Sequence, residues 1–310
     1  MKQLIIFSIS ICCFCLSCNK NVVGISTQNI LQNNLDGYYD GKKLSASMER
    51  YLEQWGQTEP SQNEFYTSFS YYPLKGLEYE EGVSRRDPST IIKIKDTYYV
   101  YYTRSSKTVA PVGYKKATKT VPANTWDLCD IYYATSKDGI NWKEQGVSVS
   151  RGPEGSFDDR SVFTPDILQY EGKYYLYYQA VSYPYTERSK NVIGMSWSES
   201  PDGPWHRFDT PVLKPGKPGK FVESSTKRAH IESYGDFDSH KVHDPNLIVR
   251  NSEIWMYYKA HPMGVGSEHP MPKGVGLKKP YPNFSMGLAI AKNPKGPFIK
   301  HPINPVSASG

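Results

Sequence analysis

The sequence predicts an all-β fold of the β-propeller type, and three observations carry that expectation. Aromatic residues make up 14% of the chain and 25 residues are Tyr, a composition that favours strands and supplies flat faces with a polar edge for sugars. With 24 Gly and 23 Pro, turns are frequent, as a chain of many short strands needs. An aspartate beside a proline also recurs at the head of three strongly β-forming runs. Ser84-Arg85-Arg86-Asp87-Pro88-Ser89 stands before the run 90–103, Phe163-Thr164-Pro165-Asp166 before 167–179, and Val242-His243-Asp244-Pro245 before 246–259. The aspartates lie 79 (166 − 87) and 78 (244 − 166) residues apart. A long, nearly fixed period with an acid at one place in each repeat predicts a radial array whose strand starts converge on one funnel.

The first residues are read as a leader rather than as fold. Lys2 is followed by an apolar run, 4–16, too short to span a membrane as a mature helix. Cys18 follows Leu16-Ser17 and resembles the lipobox cysteine of bacterial lipoproteins. Acylation at Cys18 is therefore expected, with the protein in the periplasm as an outer-membrane lipoprotein and membrane attachment only through the lipid; simple secretion is the alternative. Four of the five cysteines lie in or just after this run, which leaves Cys129 alone in the mature chain and provides no disulfide framework. Stability must then come from a core, and a chain of 310 residues is long enough to bury one.

Three divisions follow: 1–18 as signal peptide, 19–62 as tether and helical segment, and 63–310 as the propeller domain. Residues 19–42 are polar and rich in Asn. Over 44–55, Leu44, Met48, Tyr51, Leu52 and Trp55 share one helical face, and Gly56 followed by Pro60 ends the helix. That stripe is buried against its own domain or against a second subunit in a homodimer.

From residue 65 onward each unit reads as strand, hairpin, strand, long loop, strand, Gly turn and aromatic strand, about four strands and hence one blade. The hairpin turns are at Lys95-Asp96-Thr97, Glu171-Gly172 and Asn251-Ser252. Trp142, Trp205 and Phe298 recur after the later Gly turns and are expected to pack between blades. The insertions 105–130, 182–191, 208–241 and 262–285 differ most, and such loops on the rim of a regular scaffold usually shape a site. One of them carries the basic cluster 214–220 and Lys227-Arg228, either a solvated loop or an anion site. The net charge of +6 is mild for this length and no basic helix accompanies it, which argues against nucleic acid. Three units fill the chain whereas propellers usually have at least four blades, so the sequence is expected to stop short of its natural end.

Carboxylates crowded at the starts of inner strands shift one another's pKa values, so one is held protonated while another is ionised. Such a pair suits cleavage of a glycosidic bond. Arg86, Asp166 and His243 are candidates for substrate contact. Alternation along a strand would send His243 and Asp244 to opposite faces. His261 and His269 are read as surface residues. No zinc spacing is present, so the sequence by itself assigns no metal ligand.

Arg85-Arg86-Asp87-Pro88-Ser89 with the run 98–104, and Val242-His243-Asp244-Pro245-Asn246 with 254–259, resemble glycoside hydrolase family 117. These enzymes are α-1,3-(3,6-anhydro)-L-galactosidases, or neoagarobiose hydrolases, of agar degradation. The resemblance covers about residues 37–310. It implies a five-bladed propeller with an N-terminal helical segment exchanged between the subunits of a dimer, acting on neoagaro-oligosaccharides. The family's helix motif is only partly matched, by Ser45 and Arg50, because Ser47 stands where the family has Ala. By resemblance, Asp87 is the general base of an inverting hydrolase and Asp244 the second acid, which stabilises the transition state. No cofactor is required, although the family can hold a divalent ion near the centre. The family's general acid is a His followed by Glu beyond an Asn-Pro stretch. Asn304-Pro305 matches that stretch, and the acid is expected beyond Gly310, because His301 is followed by Pro302. Two other readings remain open: a family 43-like arabinofuranosidase or xylosidase, and a non-catalytic sugar-binding propeller lipoprotein.

Overall fold

The computed structural model describes residues 74–106, 109–264 and 284–309, together with two short strands, β1 (Tyr38–Tyr39) and β2 (Lys42–Lys43). The leader, Cys18, the helix at 44–55 and His269 lie outside the described residues. The chain divides into two compact units, Met1–Tyr71 and Tyr72–Gly310. In the first, β1 pairs antiparallel with β2, so the segment read as a polar tether ends in a small hairpin.

The second unit is all β among its described residues. Its first sheet holds β3 (Val83–Arg86), β4 (Ile92–Ile94), β5 (Thr97–Ser106), β6 (Asp130–Ser136) and β7 (Trp142–Val149), in the order β3-β5-β6-β7 with β4 also on β5. Its second holds β8 (Ser161–Tyr170), β9 (Lys173–Val181), β10 (Val192–Ser198) and β11 (His206–Arg207), in simple order. A two-stranded ribbon, β12 (Pro218–Phe221) with β13 (Ile231–Gly235), rises from the 208–241 insertion, where no strand was expected. The third sheet holds β14 (Lys241–Arg250), β15 (Glu253–His261), β16 (Phe284–Ala291) and β17 (Ile299–Lys300), with β18 (Ser307–Ser309) on the other half of β16. Each sheet is an antiparallel meander of about four strands, the repeating unit of a propeller blade. No helix among the described residues is long and apolar enough to cross a membrane.

The hairpins follow from local chemistry. Glu171 and Gly172 both have positive φ, as do Asn251 and Ser252, the conformation that matches the twist of the flanking strands in a two-residue turn. The middle sheet is covered on both faces, and every residue of β9 after Lys173 is buried, which explains its almost unbroken apolar sequence. One core cluster joins Tyr101 and Ile131 of the first sheet to Ile167, Leu176 and Tyr178 of the second. Another joins Leu168, Tyr177 and Met195 of the second to Leu247, Met256 and Tyr258 of the third.

Buried tyrosines need partners for their hydroxyls, and for Tyr101 and Tyr177 the partners lie in the next blade. Tyr101 donates to Pro201 O at 2.5 Å and Tyr177 to Pro294 O at 2.6 Å. Trp205 packs edge-on to Tyr101, and Phe298 edge-on to Tyr177. Two of the three recurrent aromatics therefore do pack between blades. Trp142 instead packs within its own sheet, against Val100, Tyr102 and Ala134, and on Leu77.

The proline motifs do not precede their strands as expected. They lie inside the inner strands, as bulges. Pairing of β8 with β9 shifts register between Phe163 and Asp166, and β14 with β15 shifts between His243 and Asn246. In the first sheet the same irregularity splits the inner strand into β3 and β4, and Ser89 N–H still bonds Tyr101 O across the gap.

Candidate active site

The residues of each bulge correspond in backbone conformation. Asp87, Thr164 and Asp244 have φ of 48°, 49° and 50°, in the sparsely populated left-handed region where non-glycine residues are uncommon. Pro88, Pro165 and Pro245 follow them. The equivalent of Asp87 and Asp244 is therefore Thr164, which corrects the expectation that Asp166 takes that place. Asp166 falls two residues later, on a par with Ser89 and Asn246.

Asp166 is 3% exposed. Its carboxylate accepts from Thr90 N–H at 3.2 Å, Leu247 N–H at 2.8 Å and Asn246 Nδ2 at 3.3 Å. It ties the inner strands of all three sheets together, and this is not the place of a residue that meets a sugar. Burial pushes its carboxyl above the usual range, opposed by the backbone bonds from Leu247 and Thr90.

The three left-handed positions converge. The Thr164 side chain and the Asp244 charge both lie close enough to act on the Asp87 carboxyl. Burial pushes the Asp87 carboxyl above its ordinary range and Asp244 adds to this, while the Trp126 hydrogen bond, the Arg86 charge and the nearby Thr164 side chain oppose it. Asp244 moves the other way. Burial alone would raise it, yet His243 and Lys259 hold it below the usual carboxylate range. His243 Nδ1 lies 3.0 Å from Asp244 Oδ1, and Lys259 Nζ 3.7 Å from Oδ2. His243 and Asp244 thus touch, contrary to the alternation rule, because the bulge turns Asp244 back. His243 is itself buried and braces Asp244 from behind.

Trp126 is the aromatic residue at the site, and sequence reasoning did not single it out. Its Nε1 donates to Asp87 Oδ2 at 3.1 Å, and 38% of the residue is exposed. The Arg86 guanidinium lies 4.9 Å from the centre of its ring and donates to Thr125 Oγ1 at 3.1 Å. Arg86 therefore steadies the loop that carries Trp126. The loop is also anchored from below. Arg160, buried at the head of β8, forms a two-pronged pair with Asp127 (2.6 and 2.5 Å) and donates to Thr118 O. Ser161 Oγ donates to Trp126 O at 2.7 Å. The insertion 105–130 is thus a positioned wall of the site.

One sequence signal could have located these residues. Phe157-Asp158-Asp159-Arg160 and Phe237-Asp238-Ser239-His240 stand in the same relation to Pro165 and Pro245. Aligned on them, Thr164 falls on Asp244. His301 lies in the turn after β17, where its Nδ1 accepts from Ile303 N–H. His261 is half-buried, its ring packed on that of His243 with centres 4.6 Å apart, rather than a surface residue as expected. For a divalent cation, no group of three or more His, Cys, Asp or Glu side chains among the described residues is arranged to hold one.

Comparison with known proteins agrees with this geometry. The family described as "Glycosyl hydrolases family 43" matches residues 82–219, the stretch that contains Asp87, Trp126 and Thr164. Among solved structures, the chain is similar to Zg3597, a family 117 glycoside hydrolase produced by the marine bacterium Zobellia galactanivorans, at 40% identity and a TM-score of 0.61. That likeness covers 78% of this chain and 63% of that one, so this chain spans less than two thirds of its relative's length. A further solved structure, titled "Glycoside hydrolase", matches at 14% identity and a TM-score of 0.52, covering 87% of this chain and 68% of that one; it speaks for the fold alone. No curated protein matches the chain. The matched domain and the family 117 relative together support an O-glycosyl hydrolase.

Proposed function

We propose that the protein is an exo-acting glycoside hydrolase that releases 3,6-anhydro-L-galactose from the non-reducing end of neoagaro-oligosaccharides with inversion, within a five-bladed propeller. The observation that carries the hydrolase reading is the convergence of Asp87, Thr164 and Asp244 with opposite pressure on the two carboxyls. A general base works best with a pKa closer to the working pH, and Asp87 is the carboxyl pushed upward. It takes the proton of the attacking water, with the Trp126 hydrogen bond fixing its orientation, and the leaving oxygen takes its proton from a general acid that the family 117 resemblance places after the Asn304-Pro305 stretch. Asp244, held ionised by His243 and Lys259, faces the positive charge that develops on the sugar ring in an oxocarbenium-like transition state. The exposed face of Trp126 offers a stacking surface for a sugar. The substrate and the inverting course are taken from the family 117 resemblance, which the 40% identical relative supports at the level of family.

Proton NMR during hydrolysis of neoagarobiose tests this reading. Release of anhydrogalactose, first seen as the anomer opposite to that of the bond cleaved, is the expected result. Release as the same anomer would contradict inversion, and no release at all would contradict the substrate. The family 43 match over 82–219 favours one second reading, a furanosidase or xylosidase, which aryl arabinofuranosides and xylosides would reveal. We also propose export with acylation at Cys18, an outer-membrane periplasmic location and a homodimer through the N-terminal segment. Mass spectrometry of the mature N-terminus and light scattering test these, and an unmodified terminus elsewhere or a monomer would overturn them.

A further inference from the structure

A polar cleft lies on the far side of the wall that carries Trp126. Its volume is about 400 Å³, within the range of small-ligand sites. Lys119 and Leu128 line it from the 105–130 insertion, Arg151 and Glu154 from the loop after β7, and Arg160 and Tyr183 from the segments that flank the β8–β9 pair. Neither Asp87 nor Asp244 belongs to its lining. The wall between cleft and funnel is thin. Trp126 gives its indole N–H to Asp87, the fully buried Asp127 next to it takes the Arg160 guanidinium, and Leu128, with φ of 59°, lines the cleft. Three consecutive residues thus divide the two spaces.

Charge balance limits what the cleft can hold. Its three cations are all matched. Lys119 Nζ lies 2.5 Å from a Glu154 oxygen, Arg151 Nε lies 3.3 Å from Asp130, and Arg160 makes its two-pronged pair with Asp127. Asp159, the other acid of the lining, accepts from Tyr183 N–H at 2.7 Å with one oxygen and from Gly155 N–H at 2.8 Å with the other. An anion would meet no unmatched cation there, and a cation would meet only a carboxylate already engaged at both oxygens. A neutral polar ligand suffers neither penalty. Matched ion pairs still present N–H donors and carboxylate acceptors, and sugar hydroxyls can use both. The Tyr183 ring is 44% exposed, a flat apolar face with a polar edge. The buried Arg160 guanidinium backs it at 5.4 Å from the ring centre. Lys119 Nζ stands 5.9 Å from that centre, on an exposed side chain that can yield the ring to a ligand.

We propose that this cleft is a second sugar-binding site, which holds a short stretch of neutral oligosaccharide on Tyr183 with its hydroxyls bonded to Lys119 and Glu154. The class of sugar rests on the glycosidase reading. A chain held here is not cut here, because the carboxylates that act on the bond lie across the wall. The cleft is a grip instead. Holding a longer oligosaccharide beside the funnel raises the effective concentration of chain ends at Asp87.

Calorimetry with neoagarohexaose and the Asp87→Asn protein, in which turnover does not interfere, tests the site. The expected result is two binding sites per chain. In that background Tyr183→Ala should weaken one of them at least about fivefold, the usual effect of truncating an aromatic anchor, and Glu154→Gln should weaken the same one. Tyr183→Trp keeps a flat face and should keep the site, and Tyr79→Ala, at a residue 90% exposed outside the cleft, should change neither. Because the ligand is neutral, inorganic sulfate and magnesium should not compete for the second site. Should Tyr183→Ala fail to fold, Glu154→Gln and Tyr183→Trp decide the matter. A single site per chain, or two sites that are both indifferent to Tyr183 and Glu154, would overturn the proposal. Hydrolysis of neoagarobiose by the unmodified protein would in that case leave the glycosidase reading standing. Binding that depends on Tyr183, without hydrolysis of any neoagaro-oligosaccharide by the unmodified protein, would overturn the glycosidase reading and leave the sugar site.

Discussion

Asp87 and Asp244 occupy equivalent backbone positions and are pushed in opposite directions, and that divergence separates their roles. Asp87 in the fold binds its proton more tightly than in the unfolded chain. Its ionisation therefore costs stability, a cost absent below the usual carboxylate range and present once pH has risen through the raised pKa. Asp87→Asn should accordingly melt higher than the parent protein at pH 7, with the gain vanishing in acid. Asp244 has the reverse sign. Its lowered pKa gives stability that is present above the ordinary range and lost as pH falls through the folded value, so Asp244→Asn should melt lower at pH 7. Trp126→Phe removes the hydrogen bond that favours ionised Asp87, and the acid limb of the pH–rate profile should move to higher pH. A profile that does not move would mean that Asp87 is not the group seen on that limb. Asp166 serves structure instead. Asp166→Ala leaves the Leu247 N–H buried without its acceptor, at about 1–3 kcal/mol, and urea titration should show a loss of that order.

At the level of strands and loops, two close fits hold the site in shape. Gly194 lies opposite Tyr178 in the β9–β10 ladder, and Gly287 opposite Tyr258 in β15–β16. A Cβ at Gly194 would come within 2.6 Å of the Tyr178 ring, and that ring is fully buried. Gly194→Ala should therefore destabilise by about 1–3 kcal/mol, read by thermal or urea melting. The Arg160–Asp127 pair that anchors the Trp126 loop is almost wholly inside, with side-chain exposures of 2% and 0%. Removing one partner of such a pair typically costs about 3–5 kcal/mol, and Arg160→Met should lose sugar affinity as well, because the wall that carries Trp126 is released. The hairpins and core strands were legible in the sequence because their chemistry is local: β-forming Tyr runs around two-residue turns. Trp126 was not, since what makes it part of the site is a hydrogen bond across 39 residues of chain.

Across the whole second unit, a repeat of nearly 80 residues folds into successive antiparallel sheets joined by tyrosine hydroxyls and one buried carboxylate. The repeat is readable in the sequence but its register is not, because the residue that keeps its place in each bulge is the proline rather than the aspartate. A bulge counts its residues differently from a regular strand, so an offset of two moved Asp166 into the place of Thr164 and hid its structural role. Asp87 and Asp244 were legible because they sit at the bulge itself, while the cleft at Tyr183 is assembled from separate loops only by the fold. The central claim is that Asp87 is the base of a glycosidase, and the most direct test is to measure turnover of neoagarobiose and binding of the same sugar by the parent protein and Asp87→Asn side by side. The prediction is a fall in turnover of about 10²–10⁴-fold with sugar affinity largely kept. Undiminished turnover in Asp87→Asn, or a loss of binding that accounts for all of the lost activity, would contradict it.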